Sequence, residues 1–317
     1  MTWTREPGSG LAYQQVHRGG RHGIGWALFG VVCLLALLLI VAQFVIGLGF
    51  MLGYAIAGKD VSASLDALTD DSHVTPASLA FLNLGLAAAI PAAMLVTFVV
   101  HRLRPAWLAS VRPRIRWRWL LVCLGLSLVT LIVTLIVSSF LPQQDGAQLG
   151  GKANPFTHES LEFLLVILFL TPLQAAGEEY AFRGYLTQAF GGVFRARWVA
   201  VVVPAVLFAL AHGTQSVPVF FDRFAFGVVA GILVIATGGL EAGIAMHVLN
   251  NFLAFGAALF VGNMTDTLNA DGGSWWDIPV TLVQSLVYLG LATWVARRRG
   301  VATTTDRVVL AASEPRV

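Results

Sequence analysis

Residues 26–52 read WALFGVVCLLALLLIVAQFVIGLGFML, a run without a single charge. A helix rises about 1.5 Å per residue and the hydrocarbon core of a bilayer is about 30 Å thick, so this run is long enough to cross a membrane. It exceeds the roughly 7–15 apolar residues of a signal-peptide core and lacks a convincing small-residue cleavage site, so it reads as a first span. Similar runs follow, and helices are expected near 25–52, 77–100, 118–141, 160–189, 198–212, 222–237, 240–262 and 278–296. Lipid offers no hydrogen-bond partners, so each run must pair its backbone internally as a helix. Pro91 and Pro204 fall inside two of these helices and should kink them. The expected fold is an all-α, polytopic transmembrane bundle of about eight spans.

Composition agrees. Of 317 residues 57% are hydrophobic and 12% charged, with mean hydropathy +0.76. A soluble domain carries about 25% charged residues. The net charge of +3 is too small to suggest nucleic acid as a partner. Cys33 and Cys123 lie in apolar runs with no neighbouring ligand type, which makes them packing residues. Two lysines (Lys59, Lys152) against eighteen arginines suggest the coding bias of a bacterial genome, hence a bacterial plasma membrane.

Charge alternates from loop to loop. Arg18 and Arg21 precede the first span, Arg102 to Arg118 fall between the second and third, Arg195 and Arg197 between the fourth and fifth, and Arg297 to Arg299 follow the last. Asp60, Asp66, Asp70, Asp71, Asp145, Asp266, Asp271 and Asp277 fall between other pairs of spans. The positive-inside rule then puts both termini in the cytoplasm. The arginine loop 102–118 reads as an orientation signal in contact with lipid headgroups. Residues 1–22 and 300–317 are polar and aperiodic and read as disordered cytoplasmic tails. Between them lie three spans and their loops over 23–159, a core over 160–262 and the last span over 263–299.

Ionisable groups within spans are costly, roughly 2.5–3.5 kcal/mol each at the bilayer centre, so they usually mark a site. Glu178 and Glu179 are the acidic residues well inside a span, and His212 and His247 the histidines. Glu162, Asp222 and Glu241 sit near span ends, where water is expected to reach them. In GEEYAFRGYL (177–186), Glu179 and Arg183 are four apart on one helical face and should pair. Glu178 points about 100° away, without a local partner, and a desolvated carboxylate makes a base. In FALAH (208–212), Phe208 should pack beside His212. In HVLNN (247–251), His247 and Asn251 share a face suited to aiming two donors at one oxygen, while Asn250 faces elsewhere as helix glue. Counted from the cytoplasmic ends, Glu178, His212 and Asn251 lie roughly 18, 21 and 15 Å deep and His247 roughly 9–10 Å. One cavity open to the cytoplasm is compatible with those depths.

These motifs, Glu-Glu-x-x-x-Arg, Phe-x-x-x-His and His-x-x-x-Asn, stand in order on separate spans. The chain thereby resembles the intramembrane endopeptidases of the CAAX-processing and bacteriocin-processing (CPBP, or Abi) family over about residues 160–255. The resemblance implies that Glu178, helped by His212, activates a water against a peptide carbonyl. It implies that His247 and Asn251 donate to the oxyanion and that Glu179 and Arg183 hold the constellation, with no cofactor. Glu241 departs from the family pattern, where an aromatic is expected, and reads as a change in substrate access. The implied partners are a peptide or protein substrate, lipidated or not, and membrane lipids. The same residues also permit a zinc metallopeptidase, with Glu178, His212 and His247 as ligands. Non-enzymatic readings are a bacteriocin-immunity or partner-binding membrane protein, and a proton relay. Gly125-Leu126-Ser127 lacks the glycine a serine-protease motif would need next.

Overall fold

The computed structural model describes residues 3–138, 140, 153–213, 215–269 and 275–306. Among them the fold is all-helical, with isolated bridges but no strand. Seven helices are long and apolar enough to cross a membrane: α1 (Ile24–Ile56), α2 (Pro76–Val99), α3 (Trp117–Val137), α4 (His158–Val193), α6 (Val217–Thr237), α7 (Glu241–Val261) and α8 (Ile278–Arg298). The expected fifth span is a shorter apolar helix, α5 (Val199–Leu210), which stops before His212. The protein is thus a multi-pass integral membrane protein. Asp145, Asp271 and residues 307–317 lie outside the described residues.

Local chemistry sets the helix ends and bends. Thr75 caps α2 through a reciprocal box with Ser78, with Pro76 in the first turn. Pro91 cannot accept the helical register behind it, and α2 is interrupted at Ala88, three residues earlier. α4 opens with a Thr157–Ser160 box and breaks at Leu170, just before Pro172. It continues as an α-helix to Glu178 and widens into a π-helix over Glu179–Leu186. Such wide turns are rare and recur at functional sites.

Helix α4 is the centre of the bundle, touching α2, α5 and α7, while α7 also packs on α3, and α6 lies between α5 and α8. A Cβ at Gly177 would sit 2.1 Å from the Leu86 carbonyl oxygen, so only glycine lets α2 and α4 come this close. Across that seam Asn83 donates to Thr171 at 3.1 Å. α1 buries little of its surface and faces lipid.

Two sequence expectations are corrected here. The first concerns residues 1–22, expected as a disordered tail. Tyr13–Gly19 instead form a 3-10 helix against the end of α4, with Tyr13 and His17 buried. Tyr13 donates to the Leu108 carbonyl at 2.6 Å, and Arg18 to the Gly191 carbonyl at 3.0 Å. The described start of the other expected tail pairs with it: Gly10 donates to the Thr305 carbonyl and Thr305 to that of Leu11. The apolar Tyr13 and Val16 supply the driving force that the overall polarity of the segment concealed. The second concerns Glu241, which is fully buried rather than reached by water. Its carboxylate accepts from the Arg116 backbone N–H and Nε at 2.8 Å and from Nη2 at 2.6 Å. Arg116 also donates to the carbonyls of Ala302 and Thr237, so it ties three segments together instead of meeting headgroups.

Candidate functional site

The polar side chains of the three motifs meet where α4, α5 and α7 cross. Gln174 and Glu178 are one turn apart on the α-helical part of α4, and Gln174 Nε2 donates to Glu178 Oε2 at 2.6 Å. The other end of that amide accepts from Asn251 Nδ2 at 2.8 Å. Gln174 therefore couples the carboxylate of one helix to the amide of another, and both its amide atoms are used. Glu178 is not without a partner, as the helical projection suggested.

His247 lies between the two glutamates. Its Nε2 is 3.3 Å from Glu178 Oε2 and its Nδ1 is 3.0 Å from Glu179 Oε1. Ionised carboxylates only accept, so the ring must carry two protons or one carboxyl must carry one. Three buried groups thus share their protons. Both of these contacts to Glu178 fall on Oε2 rather than Oε1.

Glu179 also accepts from Arg183 Nη1 at 3.0 Å, the pairing expected from their spacing, and both side chains are buried. A Cβ at Gly243 would lie 2.6 Å from Glu179 Oε2, so α7 offers a gap at this carboxylate. The Arg183 guanidinium stacks over the Phe208 ring at 4.1 Å, which is the kind of contact that holds a cation in an apolar wall. The edge of Phe208 also meets His212, with ring centres 4.7 Å apart, and His247 at 6.0 Å.

His212 stands in the turn after α5. Its Nδ1 lies 2.7 Å from the Phe208 carbonyl, which can only accept, so Nδ1 is the donor and a neutral ring leaves Nε2 as the acceptor. Glu178, His212, His247 and Asn251 line one cavity of about 420 Å³, together with Gln174 and Arg223. Asn250 lines it too while facing Gln284 of α8 at 3.5 Å. Ser127 donates to the Ala245 carbonyl and is helix glue.

Sequence reasoning missed Gln174 and Arg223. Gln174 was detectable as an amide one turn before Glu178 in an apolar helix. Arg223, in the second turn of α6, donates to Gln215 Oε1 at 2.7 Å. No spacing rule connects it to the three motifs. Among the described residues no three His, Cys, Asp or Glu side chains stand close enough to hold a metal ion.

Residues 160–253 match the family profile described as Type II CAAX prenyl endopeptidase Rce1-like. The chain is 27% identical over 146 residues to the uncharacterized protein YyaK of Bacillus subtilis (strain 168), a match covering 43% of this chain. The chain spans about half the length of that curated relative, 49%. No solved structure matches.

Proposed function

We propose that the protein is an intramembrane endopeptidase of glutamic type acting on a peptide or protein substrate, a reading supported by the match of residues 160–253 to the Rce1-like CAAX prenyl endopeptidase profile and consistent with the CPBP (Abi) family. The observation that carries this reading is the Glu178 carboxylate, fixed by Gln174 and His247 in the wall of a cavity shared with His212 and Asn251.

Glu178 Oε1 takes a proton from a bound water as the water oxygen attacks the peptide carbonyl carbon. The negative charge that develops on the carbonyl oxygen is met by the second N–H of the Asn251 amide, whose first is held by Gln174, and by the charge of a doubly protonated His247, both of whose ring nitrogens face carboxylates. Collapse of the tetrahedral adduct breaks the C–N bond. The leaving nitrogen takes its proton from Glu178, relayed by Nε2 of His212, and the carboxylate is restored. Glu179 and Arg183 keep the His247 ring in place and are positioning residues. A C-terminal or otherwise membrane-associated segment, with or without a lipid, suits a cavity with this mixture of polar floor and apolar walls.

Wild type and Glu178→Gln, folded equally in detergent, are compared on lipidated and unlipidated peptides by mass spectrometry. Loss of a general base predicts a fall in kcat of about 10²–10⁴-fold. Cleavage indifferent to chelator is expected. Chelator-sensitive cleavage would instead assign Glu178, His212 and His247 to a metal, and equal cleavage by both proteins would remove Glu178 from the chemistry. Failure of both to cleave, with partner binding intact in Glu178→Gln, would favour the immunity or partner-binding reading.

A further inference from the structure

Two faces of the bundle differ in charge. On one, Arg18 meets the end of α4, Arg104 pairs with Glu6, and Arg116 pairs with Glu241. Arg195 and Arg197 follow α4 at the same level, where Arg297 to Arg299 close α8. The opposite face carries residues 57–75, 211–213, 215–216, 262–269 and 275–276, the first and fourth of these stitched together by Val74 donating to Thr265 Oγ1 and by Asn269 contacting the Asp71 carbonyl. Asp60, Asp66, Asp70, Asp71 and Asp266 lie there, and Lys59 is the one lysine or arginine of those loops among the described residues.

The cavity at Glu178 is closed toward the arginine face. Glu179, Arg183, Tyr185 and Leu240 are buried behind it, and Trp107 and Leu108 are buried below the N-terminal helix. Toward the acidic face it continues. A second cavity of about 910 Å³ shares His212, Arg223 and Leu268 with the first and is rimmed by Asp70, Ser72 and Asn269. The expected opening among the arginine loops is therefore absent, because the chain starts α5 on that face and carries His212, in the turn after it, toward the other.

Resting on the peptidase reading above, we infer that substrate reaches Glu178 from the face opposite the arginines. Loops rich in arginine stay in the cytoplasm, so the open face is extracytoplasmic. The substrate is accordingly a peptide segment displayed outside the cytoplasm or in the outer leaflet, and it passes Arg223 on its way to the carboxylate.

Single cysteines at Ser72, on the rim, and at Arg195, on the other face, are made in the full chain lacking Cys33 and Cys123 and expressed in bacterial cells. Both positions are exposed. A membrane-impermeant maleimide should label Ser72→Cys in intact cells and Arg195→Cys only after lysis. The reverse pattern overturns the inference. Labelling does not need activity, so it decides the face even if no peptide is cleaved. Where wild type does cleave, a polyethylene glycol maleimide on Ser72→Cys should abolish cleavage and the same adduct on Arg195→Cys should not. Unimpeded cleavage with the Ser72 adduct would place the entrance elsewhere.

Discussion

Gln174 illustrates how one neutral side chain can set the geometry of charged ones. Its amide donates to Glu178 and accepts from Asn251, so the distance between base and amide donor is fixed by a residue that does no chemistry itself. Replacement by leucine keeps the volume roughly and removes both bonds. A misplacement of about 1 Å in such a site costs about 10²-fold in rate. Gln174→Leu should therefore lower kcat by about that factor with KM and melting temperature little changed, as read from peptide cleavage kinetics and thermal melts. A large rise in KM with unchanged kcat would make Gln174 a substrate contact instead. At this scale the sequence picked out Glu178, Glu179, Arg183, His212, His247 and Asn251, which the fold brings together, because polar side chains inside an apolar run are conspicuous. It did not disclose that His247 lies between two carboxylates, since helix spacing says nothing about the azimuth of one helix against another.

Among elements, two contacts hold the arginine face together and each can be tested. Glu241 is wholly buried and Arg116 nearly so, and breaking a buried pair by removing one partner costs about 3–5 kcal/mol. Arg116→Met should be destabilised to that extent, whereas Arg116→Met with Glu241→Leu should recover most of the loss in thermal melts, because no buried charge is then unmatched. The second contact is the N-terminal 3-10 helix. His17 stacks on His101 with ring centres 4.2 Å apart, and His101 Nε2 lies 2.9 Å from the Tyr185 hydroxyl. Burial, and for His17 the neighbouring His101, holds both imidazoles below the usual histidine pKa of 6.5. A lowered folded pKa means that the unfolded segment takes up protons first as pH falls. Stability is thus fully present above about pH 6.5 and is lost progressively below it. Proteolytic release of residues 3–22 should accelerate between pH 7 and pH 5, roughly, and His17→Leu should flatten that dependence. An unchanged cleavage rate across this range would disprove the assignment. Nothing in the apolar periodicity pointed to this helix, because it is stabilised by long-range contacts to α4 and to the 105–108 turn rather than by its own pattern.

For the molecule as a whole, the spans were the most readable feature. Seven of the expected runs are helices long enough to cross, since hydrophobic length is a local property that lipid enforces. The eighth is shortened because α5 ends at Leu210, which frees His212 from the helix and lets it turn into the cavity. The direction in which that cavity opens depends on how eight helix ends are distributed between two faces, and it could not be reached by counting depth along single helices.

The cavity beside Glu178 also has an osmotic meaning. At about 30 Å³ per molecule in the liquid, 420 Å³ corresponds to on the order of ten waters. A peptide that fills this space must return most of them to bulk. Sucrose, excluded from surfaces and too large to follow the peptide in, makes that release more favourable. KM should then fall steadily as sucrose is added while kcat stays nearly level, and the slope counts the waters expelled. A flat plot would mean that the peptide binds without draining the chamber, and that solvent and substrate occupy it together.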